Sequence, residues 1–360
     1  MRVLLVAAPL IGHAFPFVPL GRALQAAGHD VLVATGGEAL SVADAGLAVH
    51  DIAGSLSIAS IAMPIMLRHP VIARAELAGR AGTRGVGLLF GALNSRLAGP
   101  AVELAESWHP DLVLHEPLAI AGSLAAAAVG APAVLHENTL FDARTLVRET
   151  LSRMGATVPE FAGVISSAPP SVLPGRESSR PMRAVPYGGI GSPPILPESG
   201  RPLIAVSRST IAGPGRERLM ERVAAAAPGV DADFLLIRPA RQFDVPPNVY
   251  TSGWVSIPQL LGRCAAIVHH GGAGTTLAAL HAGVPQLVVN GAGDRRHNAG
   301  LIAARGAGLA ADEPEIDANT LTRLITDPSL AAAAGEVRDE MAAMPAPEAL
   351  VPWLESLPHG

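Results

Sequence analysis

Cysteine is almost absent. Cys264 stands alone, so neither an internal disulfide nor a cysteine-built metal cluster is available. Lysine is missing altogether; all 26 basic residues are arginine. That removes the lysine-containing phosphate loop and with it the expectation of ATP hydrolysis. Charge is sparse at 16% of residues, the net charge is −5, and nothing resembles a polybasic footprint. Nucleic acid and anionic membrane are therefore not expected as partners. What the chain has in quantity is apolar side chains, 49% of its 360 residues. That suffices for sizeable cores in two or more domains and excludes a mainly disordered chain.

Two uncharged runs invite a membrane reading. Val3 to Gly21 is long enough to span a bilayer, but Pro9, Gly12, His13, Pro16 and Pro19 interrupt it. No small-residue cleavage site of a signal peptide follows the apolar part. The second run, Pro117 to Leu135, contains Gly130 and Pro132 and predicts a helix, a turn and a strand. Both runs predict a soluble, cytoplasmic protein.

Short apolar blocks alternate with helical patterns. Strands are expected at Arg2 to Ala8, Asp30 to Ala34, Asp111 to Leu114 and Pro132 to Leu135, with helices over Pro19 to Ala27 and from about Ala119. A segment dense in proline and glycine follows, from about Ala168 to Gly200. The alternation then restarts: strands at Leu203 to Val206, Phe234 to Ile237, Ala265 to Val268 and Gln286 to Val289, with a helix over Arg216 to Ala227. This predicts an α/β protein of two doubly wound parallel-sheet domains, residues 1–190 and 201–344, joined by a linker at 191–200. A tail, 345–360, carries Trp353 in an amphipathic pattern and is expected to pack back on the first domain. Leu56 to Leu97 is apolar and helical in pattern; it reads as core helices or as a wall for an apolar ligand, to which methionines such as Met63 and Met66 adapt.

The strongest chemical signal is Val268-His269-His270-Gly271-Gly272-Ala273-Gly274-Thr275-Thr276, where a buried strand passes into a helix. Glycines let a ligand approach the backbone, and the free N–H groups of a helix start, with about half a positive charge, attract an anion. The two imidazoles can donate hydrogen bonds to phosphate oxygens.

This motif, with His281-Ala282-Gly283-Val284-Pro285-Gln286 after it, resembles the donor site of nucleotide-sugar glycosyltransferases of the GT-B architecture. Within glycosyltransferase family 1, the nearest resemblance is to actinobacterial enzymes that attach deoxysugars to natural products. Gly12-His13-x-x-Pro16, Val185-Pro186-Tyr187-Gly188-Gly189 and Gly253-Trp254 fall in matching order along nearly the whole chain.

The resemblance implies roles. His269, and His270 beside it, would meet the diphosphate, with Gly272, Ala273, Gly274 and Thr275 supplying backbone or hydroxyl donors. Trp254 and the backbone of Val255 would lie against the nucleobase. Asp294 would hold sugar hydroxyls, but Arg295 stands where relatives carry Gln. Ser207 and Arg208 occupy the turn after the first strand of the second domain; Arg208 departs from the family pattern and either reaches a phosphate or points to solvent. Relatives that use UDP-sugars often have Glu at the position of Leu277, accepting a hydrogen bond from the ribose 2′-hydroxyl. Burying that hydroxyl without a partner costs roughly 1–3 kcal/mol, so Leu277 favours dTDP.

His13 is the candidate general base, since a neutral imidazole can take a proton from an acceptor hydroxyl near pH 7. It needs a carboxylate to orient it. Glu116 is the best-placed candidate, with His115 and Glu137 as rivals. Asp231-Ala232-Asp233 imitates the metal-binding motif of another glycosyltransferase architecture, but directly precedes a strand, at the sheet edge away from the expected cleft. No metal or other cofactor is expected. The reading is an inverting transferase that moves a sugar from dTDP to an apolar small-molecule acceptor, as a monomer or homodimer. A nucleotide-sugar epimerase, a non-catalytic partner of a transferase and carbon–carbon glycosylation are the alternatives.

Overall fold

The computed structural model describes residues 1–157, 160–192, 194, 199–210 and 218–358 (for Leu77, the backbone only). The chain divides into two compact units. One comprises Met1–Pro170, Gly175–Arg183 and Met344–Gly360, the other Ser171–Pro174 and Ala184–Ala343.

In the first unit seven strands form one parallel sheet: β1 (Arg2–Val6), β2 (Asp30–Thr35), β3 (Ala48–Asp51), β4 (Leu112–His115), β5 (Ala133–Glu137), β6 (Gly163–Ser166) and β7 (Arg180–Pro181). Their order is β3-β2-β1-β4-β5-β6-β7. Register is set by wholly buried aliphatics, with Leu5 of β1 opposite Val33 of β2 on one side and Leu114 of β4 on the other. The second unit repeats the plan with β8 (Leu203–Ser207), β9 (Asp233–Ile237), β10 (Val249–Ser252), β11 (Ala266–His269), β12 (Gln286–Val289) and β13 (Gly308–Ala311), in the order β10-β9-β8-β11-β12-β13. Here Val268 of β11 faces Val206 and Leu287.

Each sheet has one point where the strand order reverses, between β1 and β4 and between β8 and β11. Helices leave the two strands on opposite faces there, opening a crevice at the strands' carboxyl ends. His13 and Glu116 follow β1 and β4; Arg208 and His270 follow β8 and β11. The site residues thus cluster at the two switch points.

The first uncharged run becomes β1, a turn and the helix Val18–Ala26; the second becomes the helix Ala121–Val129, a turn and β5. Among the described residues no helix is long and apolar enough to cross a membrane. The stretch from Leu56 forms helices Ile58–Arg68, Pro70–Leu77 and the 25-residue Arg84–Trp108. The last buries Phe90, Leu93 and Leu97 on the first core, while Met63 stays 59% exposed.

The passage between units comes at Arg183–Ala184, earlier than the expected boundary at 190. The reason lies at Gly188 and Gly191, which press so closely on Trp254 and Ser256 that neither has room for a Cβ. Linker residues 193 and 195–198, and Arg216 and Glu217 of the expected helix, lie outside the described residues; that helix is seen as Leu219–Ala226. The tail belongs to the first unit. The Arg183 N–H donates to the Pro345 carbonyl at 2.7 Å, and His29 Nε2 lies 3.0 Å from Glu355 Oε1. The Trp353 ring covers Gly163, with the Arg180 guanidinium 4.6 Å from its centre.

Candidate active site

In the first unit, the chain leaving β1 turns through Leu10 into one helical turn, Ile11–Ala14, which carries His13. Glu116 follows β4 and is 1% exposed. Its Oε1 accepts the Ala8 N–H at 3.2 Å and its Oε2 the Leu118 N–H at 2.8 Å. His13 Nδ1 lies 3.2 Å from Oε1, and the His13 side chain is 22% exposed. Burial alone would raise the Glu116 pKa. The charge and hydrogen bond of His13, with the Leu118 and Ala8 N–H groups, outweigh it and hold the carboxyl below its ordinary value. The rivals are engaged elsewhere. His115 Nδ1 donates to the Glu116 carbonyl and Nε2 accepts the Ser123 hydroxyl at 2.6 Å. Glu137 accepts from Ser179 and faces Arg176 at 3.7 Å. Phe90 packs beside His13, ring centres 5.7 Å apart, and Asn138 Nδ2 donates to the His13 carbonyl.

In the second unit, β11 passes through Gly271 and Gly272 into the helix Ala273–Ala282. Gly271 has φ +84°, and a Cβ there would lie 2.9 Å from Val288 Cγ1 and 3.1 Å from the Arg295 carbonyl oxygen. Only glycine makes this turn.

The two histidines part company here. His269 is wholly buried; its Nε2 donates to Gln286 Oε1 at 2.8 Å and its Nδ1 accepts the Gly271 N–H at 3.1 Å. Burial pushes its pKa down to about 4, against the Gln286 bond. Both nitrogens are thus committed inside the fold, and His269 pins the loop, whereas the sequence expectation put it on the diphosphate. His270 is the half-buried neighbour. Its Nε2 overhangs Gly272, the residue capping the helix start, so closely that a Cβ there would come within 2.6 Å. Burial, then the Arg295 and His269 charges, hold it neutral, opposed by the Ser207 backbone.

Gly274 is exposed, and Ala273 and Thr275 are half-buried on the first turn. Asp294 caps the helix Arg295–Arg305 without a side-chain capping bond. Its Oδ2 accepts from Asn298 Nδ2 at 2.8 Å, which also donates to the Gly271 carbonyl. Ser207 ends β8, buried opposite His269, and Arg208 Nη1 reaches the Arg238 carbonyl at 3.5 Å. Trp254 donates Nε1–H to the Gly188 carbonyl at 3.1 Å, and the Arg238 guanidinium stacks 4.8 Å from its ring centre. Val255 is buried in the core beneath. A cavity of about 530 Å³ is lined by Ile190, Gly191, Thr251, Ser252, Gly253 and Trp254. Leu277 is 7% exposed on the helix.

Asp233 is wholly buried and paired with Arg201 and Ser199, so it anchors the start of β9. Among the described residues no group of three or more His, Cys, Asp or Glu could hold a metal ion. Sequence reasoning missed the Gln286 and Asn298 ties and the Arg238–Trp254 stack. Gln286 stood in the quoted motif; the left-handed Arg238 backbone (φ 56°) has no signal in the sequence.

Models of the erythromycin biosynthesis protein CIII-like N-terminal and C-terminal domains match residues 22–194 and 220–357. Elloramycin glycosyltransferase ElmGT of Streptomyces olivaceus is 39% identical over 96% of this chain and 95% of its own. Among solved structures, the glycosyltransferase SnogD of Streptomyces nogalater superposes with a TM-score of 0.81 at 34% identity, covering 99% of both chains. Streptomyces sp. SF2575 glycosyltransferase SsfS6, complexed with thymidine diphosphate, gives 0.80 at 28%, again over 99% of both. Fold and relatives together define a nucleotide-sugar-dependent glycosyltransferase of GT-B architecture. The chain belongs to the erythromycin biosynthesis protein CIII-like family, among the actinobacterial natural-product glycosyltransferases of family 1.

Proposed function

We propose that this chain is an inverting transferase that moves a deoxysugar from a dTDP-sugar to a hydroxyl of an apolar natural-product aglycone. The observation that carries the reading is the buried, doubly N–H-anchored Glu116 carboxylate 3.2 Å from His13 Nδ1. That carboxylate accepts a hydrogen bond from Nδ1–H, which fixes the tautomer and leaves Nε2 as the basic nitrogen. His13 Nε2 accepts the acceptor's proton while its oxygen attacks the anomeric carbon. The bond from that carbon to the diphosphate breaks, and dTDP departs with the electron pair from the opposite face. The start of the helix Ala273–Ala282 and His270 stabilise the departing charge in place of a metal, so EDTA leaves the rate unchanged. The thymidine diphosphate complex of SsfS6 supports a dTDP donor, as does the burial of Leu277, which offers a ribose hydroxyl no partner. Consumption of a nucleotide sugar in this way belongs in the cytoplasm.

Incubation of the protein with dTDP- and UDP-sugars and a polycyclic aglycone tests the reading. Transfer or hydrolysis with a dTDP-sugar is expected, with inverted configuration in the product. A 2-epimerised sugar, or silence with every donor, refutes it.

A further inference from the structure

Arg295 stands where the family resemblance leads to an amide that holds sugar hydroxyls. A guanidinium offers five N–H donors and no acceptor, and its natural partner is an anion. The surroundings of Arg295 sharpen that point. It opens the helix Arg295–Arg305, and its own carbonyl presses on Gly271 in the glycine turn. Its charge acts directly on His270, lowering that imidazole's pKa. Among the described residues its guanidinium forms no ion pair, and it accordingly lacks the carboxylate a half-buried arginine ordinarily finds. The nearby Asp294 carboxylate accepts from Asn298 instead. Asn298 is itself wholly buried, with its Oδ1 left without a partner beside the same turn. Gly291 completes the arrangement. A Cβ there would lie 3.0 Å from Arg295 Cδ, so the absent side chain is what makes room for the arginine's stem.

A guanidinium without an ion pair among the described residues, an imidazole and the positive end of a helix therefore meet at this turn, where the adjacent Asp294 carboxylate is engaged by Asn298. Together they offer an arriving anion hydrogen-bond donors and a positive potential. We propose that Arg295 is a diphosphate-binding residue, clamping the β-phosphate of the nucleotide together with His270 and the helix start, rather than a ligand for sugar hydroxyls. The inference deepens the donor reading above and rests on it. The clamp meets charge that grows on the β-phosphate as the sugar leaves.

The contrast between dTDP and dTMP isolates this contact, because only dTDP carries the β-phosphate. Both nucleotides would be titrated calorimetrically against the full chain and against Arg295→Gln and Arg295→Lys. The wild type should prefer dTDP by about tenfold or more, the scale of one charge-assisted contact. Arg295→Gln should bring the two affinities together by weakening dTDP alone, and Arg295→Lys should keep part of the preference. An unchanged dTDP-to-dTMP ratio in Arg295→Gln, with altered turnover only for particular sugars, places the side chain on the sugar and overturns the proposal. If the wild type binds neither nucleotide, the dTDP donor reading itself fails, and the clamp with it.

Discussion

Nδ1 of His13 and Oε1 of Glu116 lie 3.2 Å apart, on either side of the point where the first sheet reverses its strand order. The carboxylate cannot drift, since the Ala8 and Leu118 N–H groups hold its two oxygens. In the proposed mechanism, a general base so oriented would contribute about 10²–10⁴ in rate. His13→Ala should lose transfer by about that factor while dTDP affinity, measured by calorimetry, stays within about twofold. Glu116→Gln should give a smaller loss in kcat with KM for the donor little changed. Loss of donor binding in His13→Ala would remove His13 from the role of base.

Much of the fold was legible because strands buried on both faces read as unbroken apolar blocks, as at Val3 to Val6 and Ile204 to Val206. The missed strands lie at or beside the sheet edges. β3 is mostly exposed, β7 has two residues, and β13 is Gly-Leu-Ala-Ala. Half-covered edges need no apolar run. Glu116, a carboxylate just past a strand end, is already preferred to Glu137 from sequence; what the sequence does not carry is the physical reason for its place near His13, the pairing of β4 directly beside β1. The two consecutive histidines were indistinguishable as sequence. Which one turns inward depends on the pairing of His269 with Ser207 and Val288.

That division of labour predicts opposite phenotypes. His270→Ala should weaken dTDP binding by about tenfold with little change in Tm. His269→Ala should do the reverse. It orphans Gln286 Oε1 and leaves a cavity, costing about 2–4 kcal/mol of stability. Calorimetry and thermal unfolding on the two variants decide the matter; a donor defect in His269→Ala at full stability would restore it to the diphosphate.

Stability should fall on mild acidification. His136 and His269 titrate near 4 in the folded chain, against an ordinary 6.5, and burial also lowers His115 and His270. Between pH 6.5 and 4 the unfolded chain therefore binds more protons, so unfolding becomes easier as pH falls through that window. Glu137, raised by burial, acts in the opposite sense, but as one group against four. Below it, protonating Glu116 removes further stability. Tm measured from pH 7 to 4 should decline steadily, and His136→Gln, which keeps a donor toward Ser167, should flatten the slope.

The tail gives the last prediction. A Cβ at Gly163 would lie 2.4 Å from Trp353 Cζ2 and 2.7 Å from Cη2, and a rigid ring cannot yield as a flexible chain end does. Gly163→Ala should therefore lift Trp353 from β6, separate it from Arg180, and strain the His29–Glu355 contact further along the tail. A loss of about 1–3 kcal/mol is expected from the overpacking. Trp353 fluorescence should shift to the red as the ring meets water, and proteolysis should clip the chain after Met344 before any other described segment. Trp353→Leu in the same background relieves the clash, so it should recover part of the lost stability. Failure to recover would mean that Gly163 matters to β6 for its backbone alone.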